Sequence, residues 1–253
     1  MKSYAPKAVL FLHAFPLNKD MFVHQFSALE REKIPYIALD YPGFGEEPPP
    51  RGEVSVERLT DFVVSRLDSL GVEKVVPVGD SMGGYIMFDL WRRYRKLVEG
   101  FVFVATRAEG ETEEGKKARY NLIGRVKKEG KEFLIDMMLE NQTSPLTKKD
   151  PQKMNALRCM MEKATVEGIV KTLRALAERP DSTNLLKEIN VPTLVVAGKD
   201  DDKVTPPEIV RKIAEGIEGS IYVELENSAH LPPFENPEGF NRVLLDFLKD
   251  TAL

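Results

Sequence analysis

The sequence has few of the residues that build disulfide frameworks and metal sites. It contains a single cysteine, Cys159, and only three histidines, so an internal disulfide is excluded and no metal-ligand spacing is present. Long hydrophobic runs are missing as well, because no stretch approaches the roughly 20 apolar residues that a membrane helix needs. We therefore expect no metal site and no membrane contact, and we expect a cytoplasmic protein without a signal segment.

The excess of acidic over basic residues is also small. The 36 basic and 40 acidic side chains leave a formal net charge of −4, which argues against nucleic acid as a partner. The length of 253 residues and the hydrophobic content of 42% suffice for a sizeable core, in one large domain or in two smaller ones.

Strand-type and helix-type segments alternate along most of the chain. This alternation is typical of an α/β fold with a mostly parallel sheet that helices cover on both faces. We predict strands near residues 8–12, 35–39, 74–78, 100–105, 191–197 and 220–225, and helices near 18–31, 55–70, 83–96, 206–216 and 237–249.

Residues 79–83, Gly-Asp-Ser-Met-Gly, join a predicted strand to a predicted helix. A serine at such a turn has a strained backbone and projects its hydroxyl above the edge of the sheet. Gly79 and Gly83 lack a Cβ, so that strand and helix can approach each other closely. The strand–turn–helix context favours Ser81 as a nucleophile over a serine that only caps a turn.

A serine nucleophile needs a base, and the three histidines make the search short. His230 follows the last predicted strand and precedes the last predicted helix, which fits the chain order serine, acid, histidine. Without Ser81, a surface loop residue would be the better interpretation of His230. We interpret His13 as structural and His24 as a surface or packing residue, and we predict that His230 is the base.

The acid of such a site is expected between the serine and the histidine. Three carboxylates, Asp200, Asp201 and Asp202, follow the predicted strand 191–197 directly. One of them would hold the imidazole tautomer and stabilise the imidazolium. At least two of the three must be ordinary solvated charges, and spacing alone leaves the choice open.

In these features the chain resembles the α/β-hydrolase superfamily, and most closely its branch of serine-triad carboxylesterases, 3-oxoadipate enol-lactonases and haloperoxidase-like enzymes. The resemblance extends from Ala8 to Leu248. It is carried by His13-Ala14-Phe15-Pro16, Asp40-Tyr41-Pro42-Gly43-Phe44-Gly45, Gly79–Gly83, Val191-Pro192-Thr193-Leu194 and Ser228-Ala229-His230. The family often has two further strands at the start, but only seven residues precede Ala8, so we expect about six strands.

The resemblance also implies roles for single residues. The family usually has its acid three residues after the glycine that ends the strand, which selects Asp201. It also usually has Thr-Pro three and four residues after the acid, which selects Asp202. We choose Asp201 and keep Asp202 as the alternative. The family's oxyanion hole falls on the backbone N–H groups of Phe15 and Met82, which would stabilise the negative oxygen of a tetrahedral intermediate.

Between residues 107 and 187 the strand signal disappears and helical periodicity replaces it. About 80 residues are too many for one crossover connection, so we predict a helical cap at 107–187 on a core of residues 1–106 and 188–253. The cap is rich in methionine, which adapts to irregular apolar pockets. The candidates for the substrate pocket are Met137, Met138, Met160 and Met161.

The predicted cap is more basic than the rest of the chain. Residues 107–180 contain sixteen Lys and Arg against twelve Asp and Glu. We interpret this excess as solvated helix faces. The alternative is a positive lid that attracts anionic substrates such as dicarboxylic enol-lactones.

The resemblance implies a serine hydrolase that cleaves small to medium carboxylic esters, or lactones, by a Ser-His-Asp acyl-enzyme mechanism without a cofactor. Two alternatives stay open. One is different chemistry with the same triad, either as a cofactor-free haloperoxidase or perhydrolase or as a C–C bond hydrolase, because fold and triad do not decide the substrate. The other is a non-catalytic ligand-binding protein that keeps the fold.

Overall fold

A six-stranded, fully parallel sheet forms the centre of the molecule. The computed structural model describes residues 6–249 and 251. The strands are β1 (Lys7–Leu12), β2 (Tyr36–Leu39), β3 (Lys74–Asp80), β4 (Phe101–Val104), β5 (Thr193–Gly198) and β6 (Ile221–Leu225), in the spatial order β2-β1-β3-β4-β5-β6. All neighbouring strands pair in parallel. The predicted fold class, an α/β fold with a mostly parallel sheet of about six strands, is confirmed.

Helices cover both faces of this sheet. Within the described residues they are α1 (Val23–Arg31), α2 (Val56–Leu70), α3 (Met82–Tyr94), α4 (Glu113–Glu129), α5 (Glu132–Gln142), α6 (Pro151–Glu162), α7 (Val166–Ala177), α8 (Pro207–Gly216), α9 (Pro232–Glu235) and α10 (Pro237–Lys249). Short 3₁₀ turns lie at Lys19–Phe22, Arg95–Leu97, Thr147–Lys149 and Thr183–Glu188. No helix of the described residues combines the length and the apolar character that crossing a bilayer requires.

The core consists of two apolar layers, one on each face of the sheet. Side chains of α2, α3 and α8 contribute to one layer, which α4 and α7 extend, and those of α1, α9 and α10 contribute to the other, which α5 and α6 extend. Because both faces are covered, the central strands are continuous apolar runs rather than alternating ones. Strand β3, for example, is buried from Val75 to its end.

Four helices, α4 to α7, occupy the connection between β4 and β5. Side chains of Thr112, Asp150 and Thr165 cap the N-termini of α4, α6 and α7, so the sequence marks the start of each of these helices. The N-terminus of α7 is fixed to the loop after β2, because the backbone N–H of Thr165 donates to the Gly43 carbonyl at 2.8 Å. A Cβ on Gly43 would lie 2.6 Å from the Cα of Gly168, so this contact depends on two glycines.

Candidate active site

Ser81 occupies the turn between β3 and α3 in an unusual backbone conformation. Its φ of 52° and ψ of −107° lie in a region that is unfavourable for a residue with a Cβ. The turn is held from β4 and the loop that follows it: the Ser81 N–H donates to the Val104 carbonyl at 2.9 Å, and the Thr106 hydroxyl donates to the Ser81 carbonyl at 2.7 Å. The hydroxyl of Ser81 is thereby presented at the carboxyl edge of the sheet.

Two glycines allow the strand and the helix to meet around this serine. A Cβ on Gly83 would lie 2.2 Å from the carbonyl oxygen of Leu12, and a Cβ on Gly79 would lie 2.3 Å from the sulfur of Met87. The clash at Gly83 is with backbone, which cannot turn away as a side chain can. The close approach of α3 to β1 therefore requires glycine at position 83.

Three side chains from distant parts of the chain form one hydrogen-bonded line. The Oγ of Ser81 lies 2.8 Å from Nε2 of His230, and Nδ1 of His230 lies 2.8 Å from Oδ2 of Asp201. The Asp201 carboxylate accepts a hydrogen bond from Nδ1–H, which leaves Nε2 to accept from the Ser81 hydroxyl. His230 and Asp201 are buried, whereas Ser81 is partly exposed.

Asp201 is held as a carboxylate by the loop that follows it. Its oxygens accept hydrogen bonds from the backbone N–H groups of Val204 and Thr205 at 2.9 and 3.0 Å. Burial opposes the charge of Asp201, but His230 and these N–H donors outweigh it, so the pKa of Asp201 lies well below its ordinary value. Asp202, the alternative acid, is exposed, and the residue that contacts His230 is Asp201.

Gln142, at the end of α5, connects two loops of the site. Its side-chain amide donates to the Phe15 carbonyl at 2.8 Å, and its backbone carbonyl accepts from the His230 N–H at 3.0 Å. No motif in the sequence marked this residue. Its position depends on contacts between segments 127 residues apart, which no local pattern reports.

Glu235, on α9, braces the loop of His230 from inside the protein. Its carboxylate is buried and accepts from the backbone N–H groups of Ala229 and Leu231 at 2.8 and 3.2 Å. Its other oxygen accepts from the N–H of Ser144 at 2.6 Å, which ties the loop to the segment after α5. Sequence reasoning did not identify Glu235, although an acid five residues after the histidine was the available signal.

Phe15 and Met82 both line the cavity above Ser81. Among the described residues, neither of their backbone N–H groups has a hydrogen-bond acceptor within the protein. Met82 is the first residue of α3, where N–H groups lack an intrahelical partner and the helix dipole is positive. These two free donors suit a negatively charged oxygen.

The other two histidines lie outside this line. His13 is fully buried, with Nδ1–H donating to the Ala14 carbonyl at 3.0 Å and Nε2 accepting from the Tyr41 N–H at 3.2 Å. Burial lowers the pKa of His13 to about 4, so its ring is neutral at pH 7. Its two hydrogen bonds hold the surrounding loop in place. His24 is exposed and contacts the ring of Phe234.

A cavity of about 310 Å³ lies above Ser81. Of the four methionines predicted to line it, the structure places only Met138 in its wall. Met137, on α5, packs against one core layer. Met160 and Met161, on α6, pack into the other core layer. The prediction for these three was wrong because methionine content does not report which side of a helix faces the cavity.

Asp80, next to Ser81, is a buried carboxylic acid that sequence reasoning did not single out. Its side chain is fully buried, and neither oxygen has a hydrogen-bond partner among the described residues. Burial, and then the charges of Asp201 and Glu235, raise the pKa of Asp80 well above its ordinary value of 3.8. The protein therefore loses stability as the pH rises from that ordinary value toward the folded-state pKa, because only the unfolded chain ionises there.

We expect Asp80→Asn to increase stability more at pH 8 than at pH 5, since the amide does not ionise. Urea unfolding of both proteins at the two pH values measures the difference. Asp89→Asn is the matched control, because Asp89 is equally buried but bonded to Arg92 and Arg93. We expect this control to lower the free energy of unfolding by about 1–3 kcal/mol. If Asp80→Asn raised the free energy of unfolding equally at both pH values, ionisation of Asp80 would not be the cause of the gain.

Comparison with known proteins agrees with the fold. A family model for the alpha/beta hydrolase fold matches residues 7–237. A thermophilic esterase from Thermogutta terrifontis, with malate bound, superposes with a TM-score of 0.91 and 34% identity over 96% of this chain and 89% of that one. An enol-lactonase from Burkholderia xenovorans LB400 superposes with a TM-score of 0.88 and 25% identity over 97% and 92%.

A relative of known activity matches at the level of sequence. It is the pimeloyl-[acyl-carrier protein] methyl ester esterase of Neisseria meningitidis (strain FAM18), which is 27% identical over 251 residues, or 97% of this chain and 94% of that protein. The thermophilic esterase and the enol-lactonase fall in the branch that the sequence resembles, and the predicted superfamily is confirmed.

Proposed function

This chain belongs to the α/β-hydrolase family, and from that premise we propose that it is a serine hydrolase of small to medium carboxylic esters or lactones. The observation that carries the proposal is the hydrogen-bonded line from Ser81 through His230 to Asp201 beside a cavity. Its similarity to an esterase, an enol-lactonase and a methyl ester esterase supports the same class of bond.

The first half of the proposed reaction forms an acyl-enzyme. Ser81 Oγ attacks the carbonyl carbon of the ester while Nε2 of His230 takes its proton. Asp201 keeps the proton on Nδ1 and stabilises the imidazolium. The N–H groups of Phe15 and Met82 bind the oxyanion, an arrangement whose donors are each worth several kcal/mol in such sites. The imidazolium then protonates the leaving alcohol.

The second half returns the enzyme to its starting state. A water molecule takes the place of the alcohol, His230 accepts its proton, and the hydroxide attacks the acyl carbon. The carbon–oxygen bond to Ser81 breaks, and the serine regains its proton from His230. The products are a carboxylic acid and an alcohol, or one hydroxy acid from a lactone.

We also propose that residues 107–187 act as a cap on a core formed by 1–106 and 188–253. Residues of this segment, among them Leu122, Met138 and Leu176, line the same cavity as Ser81. Gln142 bonds to the loops of Phe15 and His230, so the cap is fixed to the site itself. Residues 1–5, 250 and 252–253 of this division lie outside the described residues.

The proposed function is tested with p-nitrophenyl esters from acetate to decanoate, together with an aryl fluorophosphonate. The cavity is at the lower end of the range of about 300–1,000 Å³ for small-molecule pockets, so we expect the fastest hydrolysis with short acyl chains. We expect one phosphonyl group per chain, found by mass spectrometry on the peptide of Ser81.

Two results would contradict parts of this proposal. Absence of both turnover and labelling contradicts a serine hydrolase of any kind. Labelling of Ser81 without turnover of any ester contradicts the ester class alone, and a panel of lactones and C–C substrates then identifies the bond that is cleaved.

A further inference from the structure

The cavity above Ser81 has an excess of positive charge in its wall. Four basic side chains line it, with a single carboxylate, Glu111, among them; the basic residues are Arg107, Arg119, Arg179 and Lys203. The surplus of basic residues in the segment 107–180 therefore does not lie entirely on solvated helix faces, because three of its arginines line the cavity.

Two of the arginines share the one acidic partner. Oε2 of Glu111 accepts from Nε of Arg119 at 2.6 Å and from Nη1 of Arg179 at 2.8 Å. Burial opposes the charge of Glu111, but the two guanidinium groups outweigh it and keep its pKa below the ordinary value. Glu111 is the only carboxylate of the described residues that forms an ion pair with these two guanidinium groups, and the charge of Asp181 also acts on Arg179.

Arg179 is buried although it is charged. Its side chain is 2% exposed, it lies over the ring of Tyr85 at 4.6 Å, and its Nε has no hydrogen-bond partner among the described residues. A buried donor of a charged group that lacks an acceptor is costly. Nη1 and Nη2 of Arg179 donate to the carbonyls of Leu176 and Glu109, so Arg179 is fixed in the cavity wall and contributes positive potential there rather than a free donor.

Arg107 supplies a positive charge in the wall of the same cavity. Its guanidinium donates to the carbonyl of Val204, and no carboxylate of the described residues pairs with it. It follows Thr106, which bonds to Ser81, and Val204 precedes Thr205, whose hydroxyl lies 3.0 Å from Nδ1 of His230. Arg107 therefore lies in the wall of the cavity that Ser81 and His230 also line.

We propose that the substrate carries a free carboxylate in addition to the bond that is cleaved, and that Arg107 pairs with this carboxylate while Arg119 and Arg179 supply the surrounding positive potential. This inference rests on the proposed function and names its substrate class: half-esters of dicarboxylic acids, or lactones with a carboxylate. A singly charged carboxylate balances Arg107, and a planar guanidinium matches it with two parallel hydrogen bonds.

The test compares two methyl esters of nearly equal shape. Monomethyl glutarate has the carboxylate, whereas methyl 5-methylhexanoate has an isopropyl group in its place. We expect kcat/KM, measured by acid release, to be about 10- to 100-fold higher for the glutarate, which is the range for hydrogen bonds to a charged group. Added salt is expected to raise KM for the glutarate more than for the neutral ester.

Variants assign the preference to Arg107. Arg107→Gln is expected to lower the ratio of the two kcat/KM values at least tenfold, mainly through KM for the glutarate, and Arg107→Lys is expected to keep part of it. Lys117→Gln is the matched control, because it removes the same charge from an exposed position on α4 outside the cavity wall. A ratio near one in the wild type, or an unchanged ratio in Arg107→Gln, overturns the proposal.

Binding without turnover separates this inference from the proposed function. Glutarate itself is titrated calorimetrically into Ser81→Ala, with and without Arg107→Gln. Binding that requires Arg107 supports the carboxylate site even if no ester is hydrolysed, in which case only the proposed function fails. Ester hydrolysis with no charge preference and no glutarate binding removes the carboxylate site and leaves the proposed function intact.

Discussion

Ser81→Ala is expected to lower kcat for ester hydrolysis by about 10⁵-fold or more, to the level of the residual binding and oxyanion contributions. The alanine keeps the Cβ and so leaves the backbone turn, the oxyanion donors and the His230–Asp201 pair in place. Only the nucleophile is lost, and with it the covalent intermediate. Release of p-nitrophenol from the best ester, measured at high enzyme concentration, gives the residual rate.

Ser220→Ala serves as the control for this substitution. Ser220 is a serine whose hydroxyl bonds to the Ala214 carbonyl at the end of α8, away from the cavity wall, and its loss is expected to leave kcat unchanged. Titration with the fluorophosphonate counts active sites and excludes traces of wild-type enzyme. If Ser81→Ala kept more than about one percent of the wild-type kcat by this criterion, a different group would have to be the nucleophile.

The strands were predictable from the sequence because each burial pattern is local. Runs such as Val75–Val78 are apolar on both faces, and turn residues bound them. The differences are at the ends: β5 was expected from residue 191 but begins at Thr193, after Pro192, whose nitrogen cannot donate to a ladder. The positions of the segments, more than their exact ends, determine where the candidate site lies.

Some parts of the candidate site could be recognised from consecutive residues, whereas others depend on contacts between distant segments. The turn around Ser81 can be recognised from five consecutive residues, because its steric requirements act within the turn. The roles of Gln142 and Glu235 cannot, since each joins segments that meet only in the folded chain. The basic surplus of the helical segment was visible as composition, but only the structure brings Arg107 and Arg179 to the cavity.

The choice between the two aspartates leads to the second large expected effect. Asp201→Asn is expected to lower kcat by about 10⁴-fold, because an amide N–H facing Nδ1 of His230 favours the tautomer with its proton on Nε2. That tautomer cannot accept the proton of Ser81. Asp202→Asn removes the same charge one residue away at an exposed position and is expected to change kcat less than twofold.

Stability at acid pH gives an independent measurement of the same pair of variants. The pKa of Asp201 is lowered in the folded protein, so its contribution to stability is complete above the ordinary carboxyl value of 3.8 and is lost as the pH falls below it. Asp201→Asn should therefore flatten this part of the acid unfolding curve, and Asp202→Asn should not. A large loss of kcat in Asp202→Asn, with Asp201→Asn nearly as active as the wild type, would assign the acid to the other residue. Agreement between the kinetic and the acid-unfolding results would tie the function of Asp201 to the hydrogen bonds that keep it ionised.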